Sequence, residues 1–288
     1  KEINTGIYCF KGNMLKDALK KIDTDNSQKE YYLTDTIKVL NREGTKIGGY
    51  VLKDESDIKA VNDRVQLAEV NKIMQQRINK KHMLAGVTII DPEQTYIDAS
   101  VIIENDTVLY PGVMLEQGTC IGKSCIIGPN SRIINSVIKD SVKIESSKVI
   151  DSFIDEGTTV GPFAYLRPGT VLGKNVKIGD FVEVKKSTIG DNSKSSHLSY
   201  IGDAEVGKNV NIGCGVVFVN YDGKNKNKTI VGDGAFIGSN SNLLAPVTVY
   251  DGGYVACGST ITKDVETDDL AIARARQVNK KGLGKNRY

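Results

Sequence analysis

A six-residue beat of aliphatic side chains governs the sequence from Ile97 to Ile261. Its first run is Ile97, Ile103, Leu109, Leu115, Ile121, Ile127 and Ile133. A second takes Ile154, Val160, Leu166, Leu172, Ile178 and Val184; a third takes Val231, Ile237, Leu243, Val249, Val255 and Ile261. A period of six fits neither the 3.6 of a helix nor the alternation of an ordinary strand. It suits a parallel β-helix, in which each short strand turns one aliphatic residue inward and the chain then rounds a corner. Three such hexads make one triangular coil of about 18 residues.

The beat says most where it slips. Between Ile133 and Ile154 it passes through Ile138, Ile144 and Val149, so some faces lose a residue and keep their aliphatic. Between Phe218 and Val231 the step is thirteen residues, which extrudes a polar loop within VNYDGKNKNKT (219–229). Loops leaving a rigid repeat scaffold are where such folds place binding groups. At Ser195 a polar residue takes an aliphatic phase, beside His197 in SSHLSY. These two breaks are the candidate sites.

Histidine is a credible general base because its pKa lies near neutrality. The chain has two. His82, next to Lys80 and Lys81 on a helical stretch, reads as solvent-facing, whereas His197 stands at a break, as a base or as a structural histidine. Two imidazoles also argue against a β-helix enzyme holding zinc through three histidines, unless copies of the chain pool them. Arg167 in YLRPG and Lys185 in VEVKK are one coil apart, so they stack on one face about 4.8 Å from each other. Stacked cations suit a phosphate or carboxylate, with Arg able to bind it bidentately. A plain charge pair of Arg167 or Lys185 with Glu183 is the simpler alternative.

Ahead of the solenoid the pattern changes. Residues 3–10 read as a strand, 13–22 as a helix with Asn13 as its cap, 30–41 as a second helix, and 46–52 as a strand. Residues 1–62 therefore look like a piece of an α/β domain, short for a complete one. The stretch 63–86 reads as one amphipathic connector helix with Val65, Leu67, Val70, Met74 and Ile78 on its apolar side. The solenoid then occupies 87–266, and 267–288 is a tail. With 38 basic and 35 acidic residues, the charge balance gives no overall support to a nucleic-acid or membrane-surface role. Basic residues do cluster in KNKNK (224–228) and KKGLGKNR (280–287), where solvated charge is the plain reading. Five cysteines without CxxC spacing suit free thiols in a reducing cytoplasm. No secretory signal or membrane-spanning apolar run appears.

Several stretches together resemble one family: EINTG (2–6), EYYLTD (30–35), AVNDRVQL (60–67), GPFAYLRPG (161–169), FVEVKKS (181–187), SHLSYIGDAEVGKNVNIG (196–213), NYDGKNKNKT (220–229), IGSN (237–240), LLAPV (243–247) and AIAR (271–274). The sequence is similar to the bifunctional bacterial enzymes that make UDP-N-acetylglucosamine for the cell envelope. These join a glucosamine-1-phosphate N-acetyltransferase to an N-acetylglucosamine-1-phosphate uridyltransferase. The resemblance implies a mainly β chain, a left-handed parallel β-helix assembled as a homotrimer with inter-subunit sites. It implies acetyl transfer from acetyl-CoA, as cosubstrate, to the amine of glucosamine-1-phosphate.

Carried over by position, His197 is the proton acceptor, and Arg167 and Lys185 grip the sugar phosphate. Tyr200 and Asn211 match residues that hold the sugar. Asn220, Tyr221, Ser239 and Arg274 match acetyl-CoA contacts, and Lys226 is a partner for CoA phosphates. Cys214 and Cys257 stand where relatives are expected to carry alanine at acetyl-CoA contacts; a cysteine acyl-enzyme is the alternative they raise. Asn4 matches a nucleotide-sugar contact, and Asn62 a contact to both nucleotide sugar and Mg²⁺. The family's Gly-rich nucleotide-binding opening is not in this sequence. The chain alone is therefore expected to lack uridyltransferase activity, with Mg²⁺ serving only that site of the full-length parent. Two rivals to the acetyltransferase are kept: a sugar nucleotidyltransferase, and a noncatalytic trimeric β-helix scaffold.

Overall fold

The computed structural model describes residues 4–284 and divides into two units, residues 1–73 and 74–288. In the first unit, helix α1 (Gly12–Leu19) and helix α2 (Asp35–Arg42) bury Ala18, Thr36 and Leu40. α1 starts ahead of Asn13, with Lys11 as its N-cap residue and no side-chain cap. α2 starts later than its sequence suggests, because Asn26 Oδ1 accepts from the Gln28 and Glu30 amides and holds 26–30 in a turn. The strands expected at 3–10 and 46–52 do not form among the described residues, and Ile3 lies outside them. A strand is stabilised by a neighbour that takes its N–H and C=O groups, and no described segment pairs with either stretch.

Helix α3 (Arg64–Leu84) corrects a second expectation. Val65, Leu67 and Met74 are exposed, Ile78 packs against the solenoid core, and the buried residues are Gln75, Asn79 and His82. Gln75 Nε2 donates to the carbonyl of Thr95 at 2.8 Å and to that of Glu93 at 3.1 Å, while Asn79 Nδ2 donates to those of Pro92 and Thr95 at 2.9 and 3.0 Å. Carbonyls at the open end of a coil stack have no next coil to bond, and two amide side chains satisfy them here. Helical periodicity alone carries no trace of this polar face.

His82 is therefore not solvent-facing: it is 6% exposed. Burial, and then the charge of Lys81, hold its pKa below the ordinary imidazole range. The unfolded chain takes up this proton as pH falls through about 6.5 while the folded chain resists it, so stability is lost on acidification. The urea midpoint should fall between pH 7.5 and 5.5, and His82→Gln should make that fall shallower. An equally steep fall in the variant would remove His82 as a source of acid lability.

The solenoid follows the beat. Three parallel ladders of 11, 10 and 9 strands form its faces, called A, B and C in chain order. Face A includes Lys177–Asp180, Lys194–His197 and Asn211–Ile212; face B includes Glu183–Lys185, Tyr200–Gly202 and Val217–Val219; face C includes Thr188–Ile189, Ala204–Val206 and Thr229–Val231. In-phase aliphatics from Ile97 to Ile261 are buried in one continuous core, including Ile138, Ile144 and Val149 where the beat slips. Buried hydroxyls tie coil to coil at the corners, such as Thr158 Oγ1 donating to the Gly173 carbonyl at 2.7 Å. The extrusion leaves the ladders intact. Val217–Val219 stays in register with Asn242–Leu244, and Thr229–Val231 with both neighbours on face C. Residues 285–287 of the basic tail lie outside the described residues.

Candidate functional site

Register places the functional side chains. On face A, Ile178 pairs with Ser195, Ser195 with Ile212, Ile212 with Ile237, and Ile237 with Val255. Two residues beyond each of these is Asp180, His197, Cys214, Ser239 and Cys257 in turn, and Asp180 pairs directly with His197. Backbone bonds continue the stacking into the corner, from Asn240 N to the Cys214 carbonyl and from Gly258 N to the Ser239 carbonyl, both 2.8 Å. One column at the A–B corner thus carries the candidate base and three of the residues matched to acetyl-CoA. Arg274 joins it, its guanidinium donating to the Cys257 carbonyl. Ser195 is buried in the aliphatic phase itself, its hydroxyl without a protein partner among the described residues.

His197 Nδ1 lies 2.6 Å from Asp180 Oδ1. The hydrogen bond to His197 is the first cause holding the Asp180 carboxyl below the ordinary carboxylate range. An ionised Asp180 accepts Nδ1–H, which leaves the Nε2 lone pair free to take a proton. Sequence reasoning missed Asp180. The coil between them is one residue short, so the 18-residue step that relates Arg167 to Lys185 lands on Gly179, and only the 17-residue register of Ile178 with Ser195 reaches Asp180.

A second group gathers around face B. Arg167 N donates to the Val184 carbonyl at 2.8 Å, which sets Arg167 beside Lys185, and Lys185 pairs in register with Gly202. Arg167 Nη1 lies 2.7 Å from Glu183 Oε1, so the charge pair forms and the two cations still stack. Lys185 is only 12% exposed at its side chain, and its nearest carboxylate, on Asp203, is 3.9 Å away. Asn220 Nδ2 donates to that same Asp203 carboxylate and, at 3.4 Å, to Tyr200 Oη. A Cβ on Gly202 would lie 2.5 Å from Tyr200 Oη and 2.8 Å from Asn220 Nδ2, so only glycine leaves room for that contact. Lys226 returns from the extruded loop against Lys185, whose charge and hydrogen bonding push the Lys226 pKa down. Two neighbouring ammonium groups with one carboxylate 3.9 Å from Lys185 make an anion-seeking surface. Asp203 and Gly202 were not singled out by sequence.

The other expected residues lie apart from these contacts. Asn211 is on face A, paired with Lys194 and Phe236. Tyr221 is exposed, its hydroxyl donating to the Gly223 carbonyl at 2.7 Å. Asn4 and Asn62 belong to the first unit, where Asn4 Oδ1 accepts from the Gly6 amide at 3.0 Å and Asn62 N donates to Gln66 Oε1 at 2.7 Å. Among the described residues no three acidic, His or Cys side chains converge on a metal position. Mg²⁺ asks for six oxygens in near-octahedral array, and Asn62 offers one amide oxygen, so these residues do not by themselves fit that ion.

Comparison with known proteins follows the same division. Residues 151–269 match the family described as GMPPB C-terminal domain, and residues 100–135 match bacterial transferase hexapeptide repeats. "Bifunctional protein GlmU" of Alkaliphilus metalliredigens is 58% identical over 98% of this chain and 62% of that protein. The proteins of that name from Acetivibrio thermocellus and Clostridioides difficile are each 61% identical, over 97% and 98% of this chain and 61% of their own lengths. The chain thus spans about three fifths of the curated relatives it matches. Among solved structures, a Francisella novicida UDP-N-acetylglucosamine acyltransferase aligns over 62% of this chain and 63% of its own, with 14% identity and a TM-score of 0.41. That likeness is too low to bear on activity.

Proposed function

This chain is a relative of the bifunctional GlmU proteins, and from that premise we propose that it transfers acetyl from acetyl-CoA to the amine of glucosamine-1-phosphate. The observation that carries the reading is the 2.6 Å Asp180–His197 contact, in one column with Cys214, Ser239 and Cys257. His197 Nε2 takes a proton from the sugar's amino group, and the freed nitrogen lone pair attacks the thioester carbonyl. The new C–N bond forms as the C–S bond breaks. Coenzyme A leaves as a thiolate and receives the proton from the imidazolium, while the second proton of the former ammonium passes from the amide nitrogen to solvent. Asp180 holds the ring in one tautomer and balances its charge.

Arg167 and Lys185 hold the phosphate in this reading, with Tyr200 and Asn211 on the sugar. Asn220, Tyr221, Ser239, Cys214, Cys257 and Arg274 hold acetyl-CoA. The position of Lys226 against Lys185 favours the sugar phosphate as its partner over the CoA phosphates. No described helix is long and apolar enough to cross a membrane, and we place the reaction in the cytoplasm. The partner uridyltransferase activity and its Mg²⁺ belong, in this proposal, to the full-length parent.

A homotrimer is part of the proposal. Its support is a ladder of large apolar side chains at the A–B corner, Phe163, Phe181 and Leu198, exposed by 59%, 58% and 59%. All three have positive φ, a costly conformation for bulky residues. Phe163 and Phe181 stack at 5.6 Å, and Phe181 and Leu198 directly follow Asp180 and His197 in sequence. A second copy covering them would wall the base from water.

The purified chain should release thiol from acetyl-CoA only when glucosamine-1-phosphate is present. Alkylation of its exposed cysteines should abolish this, and prior acetyl-CoA should protect Cys214 and Cys257, both exposed in the free chain. Inhibition at equal rates with and without acetyl-CoA would remove these thiols from the donor site. A chain with no thiol release at all would favour the scaffold.

A further inference from the structure

We propose that Asp222 is a positioning residue that folds the extruded loop so that Lys226 reaches the anion held by Lys185 and Arg167. The inference rests on the reading of those cations as a sugar-phosphate grip, and it adds the residue that makes the grip complete. Asp222 Oδ1 accepts from the amides of Lys224 and Asn225 at 2.8 and 2.6 Å, and Oδ2 accepts from Asn227 Nδ2 at 3.1 Å. Its own amide donates to the Asn225 carbonyl at 3.2 Å, and Asn227 N donates to the Asn220 carbonyl at 2.7 Å. Tyr221 and Lys226 form an antiparallel bridge across the turn, which Gly223 allows with φ of +97°. The seven-residue extrusion is therefore a closed turn with the Asp222 carboxylate at its centre.

An aspartate that closes a turn is usually only structural. Here the turn does something that local preference opposes. It brings Lys226 near Lys185, where like charges repel, while Asp203 lies 3.9 Å from Lys185 and already accepts from Asn220. Lys228 shows where a loop lysine goes without that constraint: its ammonium pairs with Glu205. Those amide donors, first among them Asn225 N, hold the Asp222 carboxyl below the ordinary carboxylate range. The charged acceptor that closes the turn thus persists across the working pH. Holding two cations together before the ligand arrives lowers what a phosphate dianion must reorganise on binding.

The test compares wild type, Asp222→Ala and Asp222→Asn. The alanine variant should raise KM for glucosamine-1-phosphate about tenfold, the loss of one well-placed ionic contact. Its kcat should stay within about twofold. The asparagine variant keeps an oxygen for the Lys224 and Asn225 amides and should recover most of the affinity. A readout free of catalysis runs alongside: labelling of Lys226 with an amine-reactive ester, with and without inorganic phosphate. Phosphate should protect Lys226 in wild type and fail to protect it in Asp222→Ala. Unchanged KM in Asp222→Ala, or phosphate that leaves wild-type Lys226 unprotected, would overturn the inference. If the wild type transfers no acetyl group, the proposed function fails, and the labelling experiment alone decides whether Asp222 positions Lys226 at an anion.

Discussion

Replacing His197 by alanine should cut acetyl transfer by roughly 100- to 10,000-fold, the contribution of a positioned general base. The ammonium form of the sugar has no lone pair, so without a proton acceptor only the small neutral fraction reacts. The phosphate grip around Lys185 is on face B and the imidazole is at the end of a face A strand. KM for glucosamine-1-phosphate should therefore move little, within about threefold, since the mutation removes a group that acts in the transition state. Asp180→Asn should also lower the rate, because the imidazole loses the carboxylate that fixes its tautomer and balances its charge. Thiol release with saturating substrates measures both. Activity within tenfold of wild type in His197→Ala would give the proton to another group.

Gly179→Ala should damage stability and activity together. A Cβ at Gly179 would lie 1.9 Å from the Ser196 carbonyl oxygen and 2.6 Å from its carbon, both backbone atoms that cannot rotate aside. The coils at 177–180 and 194–197 must separate to admit it, and these are the coils that bring Asp180 to His197. Overpacking of this kind costs about 1–3 kcal/mol, which for a chain of this size lowers Tm by roughly 2–12 °C. A displacement near 1 Å at the base can add a rate loss of about 100-fold. Gly190→Ala is the matching control. Its Cβ would meet the Gly207 carbonyl carbon at 2.7 Å at a corner without site residues, so it should lower Tm and spare the rate. Equal rate losses in the two variants would mean that the Gly179 effect is general unfolding.

The coil stack was legible because every inward position repeats one simple demand, an aliphatic side chain every sixth residue. Phase arithmetic also set Arg167 beside Lys185, but the same 18-residue step from His197 falls on Gly179, because the coil carrying Asp180 is one residue short. The misses share a different cause. Strands at 3–10 and 46–52 depend on partners that no local pattern names. The polar face of α3 is decided by carbonyls at the end of a coil, near Thr95, and not by the periodicity of the helix. Lys226 was visible as part of a basic run, but its place beside Lys185 depends on the turn that Asp222 closes. Repetition predicts the scaffold; long-range polar contacts made where it breaks are not written in any short stretch.

The most direct measurement is a crystal structure of the protein with glucosamine-1-phosphate and coenzyme A bound. Acetyl transfer at this corner predicts the sugar nitrogen about 3 Å from His197 Nε2. The phosphate should lie among Arg167, Lys185 and Lys226, and the coenzyme thiol along the column of Cys214, Ser239 and Cys257. A sugar phosphate bound elsewhere, with His197 touching neither ligand, would contradict it.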